Sequence, residues 1–514
     1  MSQLLAKKSI DKLIAESEEP EHRLRKTLGP WSLTALGIGA VIGSGIFTVI
    51  GTAIAGQKFD TSSILNAPLL DYLLHHSATL GRPGAGPALA LSLVLVAVVC
   101  AFTGLCYAEL ASMIPIAGSA YTYTYATMGE LIAWIIGWDL ILEYAVSNMA
   151  VSVGFAQHMV NLFDWFGWHP ALRWISPAYL PAGMQDLQGH DLFQPGWHFG
   201  FDWPAFLIVM LLTVVLVRGI RESAETNNVM VLLKIAAILA FVFAGASFIH
   251  PANWHPFIPN GWPGVLTGGS IIFFTYIGFD SVSTAAEEAK NPQRDLPIGI
   301  IATLIVCTVL YIAVAVVLTG LVPWQSVLDD AAPVVNALKR VADATHSGPL
   351  NWVRLAVLFG AMMGMISSLL VFQLGQARVW FAMSRDGLMP KIFSRVHPRF
   401  RTPALSTWIA GIVVGVPAGL LDIGTLANLS NIGTLFAFVL VSIGVIILRY
   451  KQPDRPRGFR SPFGVLFPVM SVIFCVLLMM GLELYTWLRF FVWLVLGLVI
   501  YFAYSRHHSE FAKR

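Results

Sequence analysis

Four ionisable residues, Lys234, Asp139, Glu143 and Asp280, stand inside long apolar runs of this chain. Ionisable groups in a membrane-embedded helix are expensive, face the protein interior and mark ion, proton or substrate paths. Asp139 and Glu143 are four apart in "GWDLILEY", so they share one helix face, with Glu143 the deeper of the two. A structural ion pair and a part in proton movement are both open to each. Asp280 stands near the middle of its run. Lys234, in "NNVMVLLKIAAILAFVF", lies about seven residues from the end of its helix, roughly 10 Å deep. It either snorkels to the near surface or points inward, where an ammonium takes the place of a coupling cation and exchanges a proton.

Glycines supply the second kind of chemistry. "GIGAVIGSGIF" places Gly37, Gly39, Gly43 and Gly45 within nine residues. Each weakens a helix interior by about 1 kcal/mol relative to alanine. Gly39 and Gly43 suit a small-residue packing face. The alternative is a helix that unwinds near Ile42 to Ile46 and bares its backbone to a cavity. A second interrupted run favours the alternative. "GGSIIFFTYIGFDSVSTAAEE", residues 268–288, carries Gly278 among Thr275, Asp280, Ser281, Ser283 and Thr284. Two glycine-interrupted spans in equivalent positions of two halves point to a secondary transporter built from an inverted repeat. Free amides and the helix dipole at the start of a half-helix suit a carboxylate. The free carbonyls ending the preceding half-helix suit an ammonium. An amino acid offers both charges, and Ser44 adds a hydroxyl donor. Ser367 and Ser368 either face this site or pack between helices. Met363 and Met365 either wall a side-chain pocket or fill space, and Phe274, just before the second break, is placed to cap a substrate.

These residues need a scaffold of membrane helices. Of 514 residues, 56% are hydrophobic and only 12% charged, with a mean hydropathy of +0.70. That charged fraction is about half that of a soluble chain. Twelve apolar runs are long enough to consider as spans: 31–56, 88–113, 130–160, 204–218, 228–249, 266–288, 297–321, 352–379, 404–421, 424–448, 465–483 and 487–505. The fold class expected is therefore an all-α polytopic membrane protein. Five-span halves at 31–249 and 250–448 would carry the discontinuous helices as their first members, with two accessory spans at 449–505. A cytoplasmic arm, 1–30, and tail, 506–514, flank them. With the N-terminus inside, inner segments hold 24 of the 32 Lys and Arg and outer segments 7, which places both termini in the cytoplasm of the cell membrane. The arm lacks the apolar core of a signal peptide. The outer connections 57–87, 161–203 and 322–351 are long, and Trp165, Trp168, Trp174, Trp197 and Trp203 suit interfacial anchoring. Cys100, Cys106, Cys307 and Cys475 all fall in apolar runs as small packing residues, with no disulfide framework and no metal-ligand spacing.

Five stretches carry a family resemblance: "GIGAVIGSGIF", "ELASMIPIAGSAYTYTY", "GWDLILEY", "FFTYIGFDSVSTAAEEAKNPQRDLPIGI" and "GQARVWFAMSRDGLMP". Together they resemble the amino acid–polyamine–organocation superfamily, and within it bacterial relatives of the cationic amino acid transporters, from about residue 24 to residue 505. The resemblance implies the five-plus-five inverted repeat, alternating access and L-amino acid substrates. It implies that Ser44 and Gly45, with Ile42 and Gly43 beside them, hold the substrate carboxylate. Carbonyls of Phe274, Thr275 and Ile277 would receive the amino group, and Phe274 would close over it from outside. A lysine at the position of Lys234 takes the sodium place and implies proton coupling. Acids matching Glu143 and Asp280 belong to the pattern without an assigned role. Animal members are smaller and more polar around Met365 to Ser367, so the methionine leans toward small or medium neutral amino acids, with cationic ones possible.

Proton-coupled uptake and amino acid exchange both fit this reading, and a membrane nutrient sensor is a further alternative. No G-x-S-x-G, H-E-x-x-H or P-loop motif occurs, so an enzyme lacks an evident catalytic group. The expected partners are an amino acid, protons and the lipid bilayer; no cofactor, metal or nucleic acid is called for.

Overall fold

The computed structural model describes residues 4–11, 14, 26–116, 119–170, 174–176, 179–180, 196–197, 200–218, 224–328, 330, 332–397 and 402–509. Helices form on each of the twelve apolar runs. The first run is split. α1 (Pro30–Val41) starts on a proline, whose missing N–H is an orphan in any first turn, and stops at Ile42. A second half, Gly45–Ala55, follows at an angle of 41°, as a π turn at Gly45–Val49 and then α2 (Ile50–Ala55). After it come α3 (Leu69–His75), α4 (Leu89–Met113), α5 (Ser119–Thr127), α6 (Glu130–Trp165), α7 (Trp203–Val217) and α8 (Ala224–Ala246). The sixth run is α9 (Gly261–Ile272), then tight 3-10 turns at Phe273–Tyr276 and Phe279–Glu288. The rest are α10 (Pro292–Leu321), α11 (Pro333–Thr345), α12 (Gly348–Arg385), α13 (Ala404–Ala418), α14 (Ile423–Lys451), α15 (Leu466–Met480) and α16 (Leu484–Ile500).

By length and composition, seven helices of the described residues can cross a membrane, or eight with the bent pair taken as one span. α7, α13 and α15 are apolar but shorter, at 15 residues each. The architecture is that of an all-α polytopic membrane protein with one amendment. The connection expected at 57–87 holds an antiparallel ribbon, β1 (Gly56–Ser63) with β2 (Thr79–Pro83), and α3. Gly56, at φ +89°, turns the chain out of α2 into the ribbon, where a side chain would strike the Arg82 carbonyl. The connection at 322–351 holds α11, whose apolar face is buried at Val334, Val335, Leu338 and Ala342. Most of 171–199, including Arg173, lies outside the described residues, as does the side chain of Trp197. Trp168, Trp174 and Trp203 are exposed. The four cysteines are free and buried.

Small residues let the helices close on one another, because lipid supplies no hydrophobic drive for helix association. Gly375 of α12 packs 3.2 Å from the Tyr144 ring of α6 for an added Cβ, and Gly104 of α4 receives Leu304 of α10. The last helix is stapled to the third run. Trp138 Nε1 donates to the Trp493 carbonyl at 2.9 Å, Trp493 Nε1 returns the bond to Trp138 at 3.2 Å, and Trp134 Nε1 donates to Gly497 at 2.9 Å. The two ends of the chain meet one turn: Lys8 pairs with Asp386 at 2.5 Å, and Ser505 donates to the Leu388 carbonyl at 2.6 Å. Both ends therefore lie on one face of the molecule.

On that same face a buried ion cluster closes α4 against α14. Glu109 accepts from Arg449 Nε at 3.0 Å and Nη2 at 2.5 Å, from the Ser461 amide and hydroxyl at 2.9 Å each, and pairs with Arg457 at 3.2 Å. Removing one partner of a buried pair strands the other charges, at about 3–5 kcal/mol. Glu109→Ala is expected to lose stability of that order. A thermal midpoint in detergent equal to that of the parent protein would refute it.

Candidate functional site

The first break runs from Ile42 to Ser44. Ile42 is extended, and its amide is the last to return to α1, reaching the Ile38 carbonyl at 3.0 Å. The closing carbonyls of α1 are then satisfied by side chains from three other helices. Lys234 Nζ, from α8, donates to Gly39 at 2.8 Å and Ile42 at 2.9 Å, and to Ser367 Oγ at 3.1 Å. From α12, Ser367 donates to Gly39 at 3.0 Å and Ser368 to Ala40 at 3.1 Å. From α10, the Tyr311 hydroxyl donates to Val41 at 3.0 Å. Lys234 is wholly buried, which removes the snorkelling alternative. A cation at a helix C-terminus sits where the dipole is negative, and hydrogen bonds to a charged donor are the strong ones.

This geometry corrects one inference from the sequence. The carbonyls that end α1 are not free, as the sequence suggested: the protein's own ammonium already bonds two of them, and its positive charge stands where a substrate ammonium would have to approach. Ser367 and Ser368 serve the same carbonyls.

The second break lies at Ile277–Gly278. Ile277 is extended, and Gly278, at φ +112°, is in the left-handed region that favours glycine. A Cβ there would stand 3.0 Å from that of Ala40 in α1. The two breaks touch: the π turn at Gly45–Val49 packs on the 3-10 turn at Phe273–Tyr276. A Cβ on Gly45 would lie 2.7 Å from Thr275 Cα, so the glycine is demanded by neighbouring backbone. Thr275 Oγ1 is turned back to the Ile272 carbonyl at 2.7 Å, while the Thr275 carbonyl accepts from Tyr311 at 2.9 Å. Phe274, within the second of these turns, and Met365, on α12, are buried.

Ser44 is fully buried, with no hydrogen-bond partner for its hydroxyl among the described residues; the same holds for Thr48 one turn on. Gly154 of α6 backs Ser44, since a Cβ there would fall 2.8 Å from Ser44 Cβ. Glu143 and Asp280 are buried and within electrostatic reach of one another, and Asp139 reaches Glu143 likewise. Neither oxygen of Asp139 has a hydrogen-bond partner among the described residues, and none of the three acids has an ion pair there. On the face away from the termini, above α2, a cavity of about 750 Å³ is lined by Lys58, Phe59, Leu80, Asn260, Trp324 and others.

Tyr311 was not singled out from the sequence. With Thr308 it is one of two hydroxyls in the apolar stretch "VCTVLYIAVAVV", and its only sign there is polarity at mid-run.

A bundle of apolar helices with two touching breaks, one of them held by a buried lysine, suits a membrane permease. The comparisons with known proteins give the family: the amino acid permease family model matches residues 28–502, and the chain belongs to that family. It is 44% identical to the branched-chain amino acid permease BcaP of Bacillus subtilis (strain 168), over 98% of both chains. It is 42% identical to the methylthioribose transporter of the same organism, over 99% of both. A vacuolar cationic amino acid transporter 4 of Arabidopsis thaliana is 33% identical, over 88% of this chain and 68% of its own.

Proposed function

We propose that this protein is a secondary active transporter of L-amino acids, coupled to protons and working by alternating access in the cell membrane with both termini cytoplasmic. Five-plus-five inverted repeats, 31–249 and 250–448, would supply the two breaks. The observation that carries the reading is Lys234 Nζ on the Gly39 and Ile42 carbonyls at the first break. Loss of its proton would remove the charge that α1's carbonyl end is built around, which ties protonation to the shape of that helix. Substrate carboxylate would meet Ser44 and Gly45 in this reading, with the amino group at the Phe274, Thr275 and Ile277 carbonyls. Buried Met365 favours an aliphatic side chain, in keeping with the branched-chain substrates that name one relative.

The test is uptake of labelled amino acids into proteoliposomes, with and without an imposed pH gradient. Accumulation that vanishes with the gradient supports symport. Uptake that survives its collapse but requires internal amino acid identifies an exchanger. The methylthioribose transporter, similar over 99% of the chain, favours a second reading in which the ligand is an uncharged thio-sugar. Adding methylthioribose to the panel separates the two, since only a zwitterion uses both breaks.

Ser44→Ala removes a hydroxyl that no described residue needs, so stability should hold. A hydrogen bond to a charged group is worth about 1.5–3 kcal/mol, so KM is expected to rise about tenfold or more. An unchanged KM would move the carboxylate away from Ser44.

A further inference from the structure

Tyr311 stands between the two breaks. Its hydroxyl is 3.0 Å from the Val41 carbonyl and 2.9 Å from that of Thr275, and the residue is wholly buried. A phenol carries one proton and so donates fully to one carbonyl at a time. The ring cannot drift, because Tyr276 meets it edge-on at 5.4 Å and is itself tied to Thr308 at 3.1 Å. One donor is thus shared by the last helical residue of α1 and the turn before the second break. Each carbonyl has two lone pairs, so Thr275 can still accept from a second donor while Tyr311 fixes its direction.

We propose that Tyr311 is a positioning residue for the substrate ammonium, acting through the Thr275 carbonyl. This rests on the reading that the substrate is an amino acid with its amino group at the second break. With the site empty, the phenol is divided between Val41 and Thr275. An arriving ammonium takes the second lone pair of the Thr275 carbonyl, whose direction the phenol holds. No covalent step is involved; one hydrogen bond is added.

Tyr311→Phe removes a single oxygen and keeps the ring on Tyr276. The experiment compares L-leucine with its 2-hydroxy analogue, which carries the same carboxylate and side chain but no ammonium, as competitors of labelled leucine uptake in proteoliposomes. In the parent protein leucine should compete better. In Tyr311→Phe the Thr275 carbonyl loses the donor that orients it, and the leucine KM is expected to rise about threefold to tenfold, the worth of one neutral hydrogen bond. Vmax should change less than about twofold, and the 2-hydroxy acid should compete as before, so the preference for the amine shrinks. Tyr276→Leu, which frees the phenol ring, is expected to shrink it in the same direction and keeps the question open to measurement if Tyr311→Phe does not fold. An amine preference equal to that of the parent in a folded variant overturns the proposal, as does equal weakening of both competitors, the mark of a merely structural tyrosine. A parent protein that takes up no amino acid would instead overturn the transport reading itself.

Discussion

Lys234→Ala is expected to abolish accumulation of amino acid driven by a pH gradient while leaving exchange across the membrane measurable. The lysine makes two bonds to carbonyls and one to a serine hydroxyl at the first break. Bonds from a charged donor are worth about 1.5–3 kcal/mol each, and buried acceptors left bare cost about 1–3 kcal/mol. α1 would lose the charge at its carbonyl end, and with it the ammonium that this reading makes the proton carrier. Ser367 and Ser368 would still cover Gly39 and Ala40, so α1 should keep its place. That is why exchange should outlast accumulation. The measurement is uptake with and without an inward proton gradient, beside counterflow at equal pH. A variant that still concentrates amino acid on the gradient would remove Lys234 from the coupling.

Gly45→Val is expected to suppress transport to background, for a reason the sequence did not offer. From the sequence, the glycine weakens the helix so that its backbone is bared to a cavity. In the structure, the space beside it is occupied by Thr275: a Cβ would stand 2.7 Å from its Cα and 2.8 Å from its Cγ2. Backbone cannot swing aside as a side-chain tip can, so the two breaks must part. Overpacking a tight contact costs about 1–3 kcal/mol, here set against the geometry that both breaks share. Gly45→Ala should already impair uptake, while Gly29→Ala, with nothing within 4 Å of the added Cβ, should be silent. Parent-like KM and Vmax in Gly45→Ala would show that the breaks tolerate separation.

The breaks were legible because their causes are local. A helix weakened by Gly43 and Gly45 fails near its own glycines, and Gly278 holds a backbone conformation that other residues rarely adopt. Lys234 was legible in depth but not in direction, since counting residues fixes how far in it lies and not which way it turns. What covers the carbonyls of α1 was not legible, because those donors come from residues 192 or more positions away in sequence. Glu109 and Arg449, 340 positions apart, escaped for the same reason. α11 was hidden differently. Its window is too short and too charged to register as a span, and only the apolar period of Val334, Val335, Leu338 and Ala342 betrays a helix lying along the protein.

The indole staples have a bearing on how the chain is divided. Residues 449–505 read as an accessory pair, an addition to a complete ten-helix core. Yet Trp134 and Trp138, on the third run, send their N–H groups to carbonyls of α16, and one is answered in kind. Hydrocarbon has no acceptor to offer in exchange. Cutting the chain before α16 would turn two tryptophans of a core helix into bare donors facing lipid. The last helix is thus part of the solvent in which the third one is dissolved.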